Sequence, residues 1–160
     1  FKEIIHIVDT DGTFIPDANV TEDPSVEKPI YSLSEIRTKN KAGIIERNRR
    51  KGSNISKLCS RKEIWGVPYQ VYYMSCNLDH VLYGKLNSSD EDKEADAFRF
   101  AKFYKDKIPE FIKFISESEF SVVGDYRESW NYIKKELNSL HRHTNLGIGL
   151  PVAKEEAEKK

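Results

Sequence analysis

The sequence predicts an α/β fold, with a small, mainly parallel sheet followed by a helical C-terminal half. Two strand patterns and one helical stripe carry the prediction. Glu3 to Val8 is a short β-branched run. It stops at Asp9-Thr10-Asp11-Gly12, as a buried strand does when its C-terminal end opens into a loop. Val67 to Met74 reads Val-Pro-Tyr-Gln-Val-Tyr-Tyr-Met, rich in the aromatic and branched residues that suit a pleated surface. Tyr126, Trp130, Ile133, Leu137 and Leu140 recur at intervals of 4, 3, 4 and 3, which predicts a helix carrying one apolar face.

Between the two strands, residues 12 to 30 hold Pro16, Pro24 and Pro29 among several Asp and Asn. This predicts a long excursion, a type of loop that often carries function. Tyr31 to Ile36 predicts a short or edge strand. Lys41 to Lys51 and Ser53 to Lys62 predict two helices broken at Gly52, with Ile44, Ile45, Ile55, Leu58 and Cys59 on their apolar sides. Ser75-Cys76-Asn77 then leads into a helical Leu78 to Tyr83. Ser89 and Asp92 form a short capping box before Ala97, Phe100, Ala101, Tyr104 and Ile108, which share a helix face. Pro109 opens a further helical segment, and Phe120 to Val123 is a third strand or a link. Residues 1–150 are thus expected to form a single α/β domain, with a core over 1–85 and a helical part over 86–150. The charged residues 151–160 are expected to be a disordered tail. Phe1 follows no Met, basic leader or cleavage site, so truncation at the N-terminus is expected.

Composition excludes several classes. No apolar run approaches the ~18 residues that span a bilayer, so no membrane role is expected. Cys59 and Cys76 lack any CxxC partner set, which argues against a disulfide framework or zinc site and for a reducing, cytoplasmic setting. Lys+Arg and Asp+Glu both number 26, yet they are segregated. Arg37, Lys39, Lys41, Arg47, Arg49, Arg50, Lys51, Lys57, Arg61 and Lys62 face Glu46 as the single acid of their window. Acids gather from Asp9 to Glu27 and from Asp90 to Asp96. A chain neutral overall can therefore still present a phosphate-attracting face.

Asp9 and Asp11 stand one residue apart at the C-terminal end of the first strand, where open α/β sheets place their ligands. Carboxylates so close repel each other unless a proton or cation intervenes. Mg2+ or Mn2+ suits such a pair, because a hard cation takes one or two carboxylates and leaves positions for water and substrate phosphate. The competing reading makes one or both aspartates turn residues before Gly12, since Asp-Gly is a common turn dipeptide.

Ile7-Val8-Asp9-Thr10-Asp11-Gly12-Thr13-Phe14 resembles the first motif of the haloacid dehalogenase-like phosphatases. That resemblance implies Asp9 as nucleophile and Asp11 as general acid/base. It offers Ser75 for phosphate binding, Lys105 or Lys107 for charge neutralisation and Gly124-Asp125 for the metal, although Asp125 reads better as a helix N-cap. The Asp-x-Asp after a strand also resembles the toprim-like families, including the nuclease domains of OLD-type proteins and the RloB-like proteins of phage defence. Tyr69 to Met74, the Ser75-Cys76-Asn77 turn and the helix from Leu78 extend this second resemblance, which covers residues 3 to 85. It implies a Rossmann-like toprim core, a metal on Asp9 and Asp11, Asp79 in the position of a helix-borne Glu, and cleavage of nucleic-acid phosphodiesters. The Glu that toprim chemistry uses on an earlier strand has no counterpart here. It is expected upstream of Phe1, or the site is degenerate.

The basic window adds weight to a nucleic-acid partner, with Arg37, Lys39, Arg47, Arg49, Arg50 and Lys51 expected to track a phosphate backbone. A solvated helix face is the plainer reading of the same run. His141 and His143 follow the last helix, where cations sit well against its C-terminus. His6 and His80 read as packed or supporting residues; Trp65, Tyr69, Tyr72 and Tyr73 could stack on bases, although aromatic residues in and beside a strand more often belong to the core; and Cys76 reads as a poor nucleophile. Three expectations result: a Mg-dependent toprim-like nuclease, a dehalogenase-type phosphatase, and an inactive module binding nucleic acid or a partner helix.

Overall fold

A computed structural model describes residues 2–150; Phe1 and the 151–160 tail lie outside the described residues. In chain order the elements are β1 (Ile4–Asp9), β2 (Val20–Glu22), β3 (Ile30–Tyr31), β4 (Ile36–Thr38), α1 (Lys41–Ser60), β5 (Glu63–Ile64), β6 (Val67–Ser75), α2 (Leu78–Tyr83), α3 (Asp90–Tyr104), α4 (Ile108–Glu117), α5 (Tyr126–Ile133) and β7 (His143–Thr144). The chain is a mixed α/β protein.

β6 is the axis of the main sheet. β1 runs parallel to it, with Ile4 opposite Tyr69 and Asp9 opposite Met74. The remaining pairings are short and antiparallel: β5 at the start of β6 and β7 at its end. The expected parallel pairing is therefore confined, within this sheet, to β1 and β6. A second small sheet has the order β2-β4-β3 and fills the excursion that was expected to be loop. The Tyr31 to Ile36 segment resolves into β3, a turn and β4, because Ser32 binds back to Glu35 through its backbone N–H and its hydroxyl.

Both faces of β6 are covered, which is why its sequence is apolar almost throughout. Tyr69, Val71 and Tyr73 pack against Ile55 of α1 and Trp130 and Ile133 of α5. Tyr72 and Met74, on the other face, pack against Val81 of α2, Ile115 of α4, Phe120 and Leu146. A third cluster joins Val20 and Ile36 of the small sheet to Ile15, Cys76 and Leu140.

Three helix expectations change: α3 ends at Tyr104, so Ile108 opens α4 instead of extending the face of Ala97, Phe100, Ala101 and Tyr104. α1 runs unbroken through Gly52, whose backbone lies close to the Thr13 and Phe14 side chains. α5 ends at Ile133, earlier than the apolar stripe. Beyond it Glu136 takes a left-handed φ of 46°, and the Asn138 amide caps the Tyr132 carbonyl at 2.8 Å. The stripe continues as turns that deliver Leu140 to the third cluster. The predicted caps at Ser89 and Asp125 accept from the backbone N–H of Asp92 and Glu128, and Asn77 caps α2 in the same way, accepting from the His80 N–H. No described helix is long and apolar enough to cross a membrane.

Candidate active site

β1 delivers Asp9 to the rim of the sheet, and the next four residues form a tight turn. Thr13 N–H donates to the Thr10 carbonyl at 2.9 Å, while Asp11 and Gly12 take φ of 49° and 65°. Two left-handed residues in sequence favour Asp or Asn followed by Gly. Gly12 is doubly required, since a Cβ there would stand 2.6 Å from Leu140 Cδ2. The turn reading of Asp-Gly is therefore realised for Asp11. The turn is anchored by Thr10, which is fully buried and donates to the Ser139 carbonyl at 2.8 Å, and by Asp11 N–H, which donates to the Cys76 carbonyl at 2.7 Å.

Asp9, Asp11 and Asp79 line one cavity of about 240 Å3 at this sheet end, together with Lys28, Lys93 and Ser88. Asp79 arrives on the first turn of α2, whose N-cap is Asn77. Asp9 is pushed up to about 6, first by burial and then by the charge of Asp11; Lys51 and the Leu78 backbone N–H pull the other way, and Asp79 adds to the rise. Asp11 is ion-paired to Lys51. Arg47 completes the wall: it donates to the Asp11 carbonyl at 2.8 Å and to the Tyr31 hydroxyl at 2.7 Å. Asn87 clasps Tyr31 through both backbone groups, at 2.9 and 2.7 Å, which fixes the 84–89 turn against β3.

Among the described residues no three His, Cys, Asp or Glu side chains come close enough together to hold a metal ion by themselves. A Mg2+ ion needs no such cage, because one or two carboxylates with water and phosphate suffice. Asp9, Asp11 and Asp79 carry hard oxygens on the cavity wall, and the Ser88 hydroxyl beside them is buried with no hydrogen-bond partner.

The six basic candidates divide. Arg47 and Lys51 face the acidic turn. Arg37 pairs with Asp23 at 2.9 Å and Glu35 at 3.5 Å, Lys39 with Glu27 at 3.9 Å, and Arg49 with Asp17 at 3.6 Å. Part of the window's charge is thus met in space by Asp17, Asp23 and Glu27 of the excursion and by Glu35, and among these six Arg50 alone makes neither a described ion pair nor a side-chain hydrogen bond.

Of the positions offered by the dehalogenase resemblance, Ser75 ends β6 beside the acidic turn, where its hydroxyl accepts from that of Thr10 at 3.4 Å. Ser75 is buried, and its hydroxyl donates to the Asn138 carbonyl at 3.0 Å. Lys107 lies over the Phe103 ring, and Asp125 caps α5. β1 has β6 as its one strand neighbour among the described residues. Lys28, Tyr31, Ser88 and Lys93 were missed from sequence. The Pro-rich excursion that carries Lys28 was the one available signal. Comparison of the chain with protein-family models, curated proteins and solved structures finds no match.

Proposed function

We propose that the acidic end of β1 is a divalent-cation-dependent phosphoryl-transfer centre acting on nucleic acid, in the manner of a toprim-like nuclease. The observation that carries this reading is the convergence of Asp9, Asp11 and Asp79 on one cavity that also presents Lys28 and Lys93. Carboxylates and ammonium groups on the walls of one cavity suit a ligand made of a cation and a phosphate. Asp9 and Asp79 would hold Mg2+ or Mn2+, which supplies Lewis-acid polarisation of the phosphate and a more acidic water when bound. Lys28 and Lys93 bind and orient the phosphate. Lys51 holds Asp11 in the turn, and Arg47 fixes the wall behind it. Above pH 6, Asp9 is ionised and ready to bind the cation or accept a proton.

The test is hydrolysis of labelled single-stranded and duplex oligonucleotides with magnesium or manganese, beside titration calorimetry of the metal alone. Wild-type protein is expected to show heat of metal association and metal-dependent cleavage without a phosphoenzyme. Asp9→Asn and Asp79→Asn should lose cleavage at least 100-fold, an order-of-magnitude expectation for loss of a group acting in proton transfer or charge stabilisation. Variants as active as wild type would refute the proposal.

A further inference from the structure

The β5–β6 hairpin turns through Trp65 and Gly66, with φ of 50° and 77°. Ile64 pairs with Val67 across it, so this is a two-residue turn of the kind that favours Asn-Gly or Asp-Gly. A tryptophan in the first position is sterically out of place. Its side chain makes no use of the core either: Trp65 is 98% exposed, whereas Trp130 is 3% exposed. The indole stands clear in solvent at a hairpin tip, so of the two readings the sequence left for Trp65 the core one is excluded.

The base of this hairpin borders a basic cleft. Lys62 accepts the Tyr69 N–H on its carbonyl at 2.9 Å, and its side chain lines a cleft of about 590 Å3 with Arg127 and Lys134, beside the hydroxyls of Ser56 and Ser60. Among the described residues no acid lines this cleft. An adjoining hollow adds Arg61, with Glu3 as its one acid. Lys57, Arg61, Lys62, Arg127 and Lys134 are all exposed, and none makes an ion pair with another described residue. They differ in this from Arg37, Lys39, Arg49 and Lys51 earlier in the basic window, each of which makes an ion pair.

We infer that this surface, formed by the end of α1, the β5–β6 hairpin and α5, binds single-stranded nucleic acid. These exposed cations follow the backbone, and Trp65 stacks on an unpaired base. An accessible indole requires an accessible base face, which a duplex does not offer. The inference rests on reading the chain as a nucleic-acid-processing protein, and it moves the main contact surface away from Arg37 to Lys51.

The experiment is fluorescence anisotropy of a labelled oligothymidylate of about fifteen nucleotides, titrated with the protein in EDTA at several salt concentrations. Omitting the metal separates this surface from the acidic centre: binding without cleavage supports the surface whatever becomes of the proposed chemistry. Wild-type protein should bind with an affinity that falls steeply with salt. Trp65→Asn should weaken binding about tenfold while melting no lower than wild type, because it installs the preferred Asn-Gly turn. Arg127→Glu with Lys134→Glu should abolish binding at moderate salt, and Lys113→Glu on the distant α4 should leave it unchanged. Wild-type affinity in both the Trp65 and the double variant would overturn the inference. So would attachment to phosphatidylserine vesicles without any binding of the oligonucleotide.

Discussion

Asp9 shows how one side chain couples stability to function. Its carboxyl titrates near 6 in the folded chain against 3.8 ordinarily, chiefly because it is buried beside Asp11. The folded state therefore holds a proton that the unfolded state has released, and stability falls as pH rises from about 4 to 6. Asp9→Asn removes this cost. After allowance for partial exposure, the variant is expected to be about 1–2 kcal/mol more stable than wild type at pH 8 and equal to it at pH 4, by urea titration. A variant less stable at pH 8 would show that Asp9 is held by contacts the amide cannot make. Asp9, Asp11 and Asp79 were legible in the sequence because a strand end and a helix start fix them locally. Lys28 and Lys93 were not, because their approach depends on how the excursion and the 84–89 turn fold back.

α1 carries a contest between propensity and packing. Gly52 costs about 1 kcal/mol relative to Ala in a helix interior, yet the helix runs through it, held by Ile55 against β6. A Cβ on Gly52 would meet Thr13 Cγ2 at 3.5 Å and Phe14 Cε1 at 3.6 Å, ordinary contact distances. Gly52→Ala is therefore expected to stabilise the protein by about 0.5–1 kcal/mol, seen as a higher denaturation midpoint with an unchanged slope. A lower midpoint would mean that the acidic turn needs the glycine's space. α5 shows the converse. Its apolar period persists to Leu140, but Asn138 and Ser139 engage backbone groups elsewhere, with the Ser139 carbonyl taken by Thr10. The stripe was readable as burial, and only its helical continuation was wrong.

At the scale of the whole molecule, buried His80 and half-buried His143 weaken the fold as the medium turns acid. His80 is lowered to about 4 by burial and by Arg142, and His143 to about 4 by burial and by His141 and His80. Both bind a proton in the unfolded chain before they do so in the folded one, so their contribution to stability is lost as pH falls from about 6.5 toward 4. Two such groups outweigh the opposite slope of Asp9. The melting temperature should rise from pH 4 to 6.5, more steeply in Asp9→Asn and less steeply in His80→Asn, whose side-chain oxygen can still accept the Cys76 N–H. A flat profile in wild type would contradict this balance. Charge shows the same dependence on assembly: a basic segment and an acidic segment, separate along the chain, neutralise one another around Arg37, Lys39 and Arg49.

By itself the sequence determined the two main strands, the helical character of the second half, the caps and the acidic strand end. Each depends on a period or a neighbour a few residues away. Tertiary structure alone decided which strands pair antiparallel, that Gly52 stays within a helix, which cations form ion pairs and that Trp65 faces solvent. Apart from the β5–β6 hairpin and the exposed Trp65 at its tip, those outcomes turn on contacts between residues distant along the chain, from Lys39 and Glu27 to Met74 and Thr144, where packing and charge compensation override local preference.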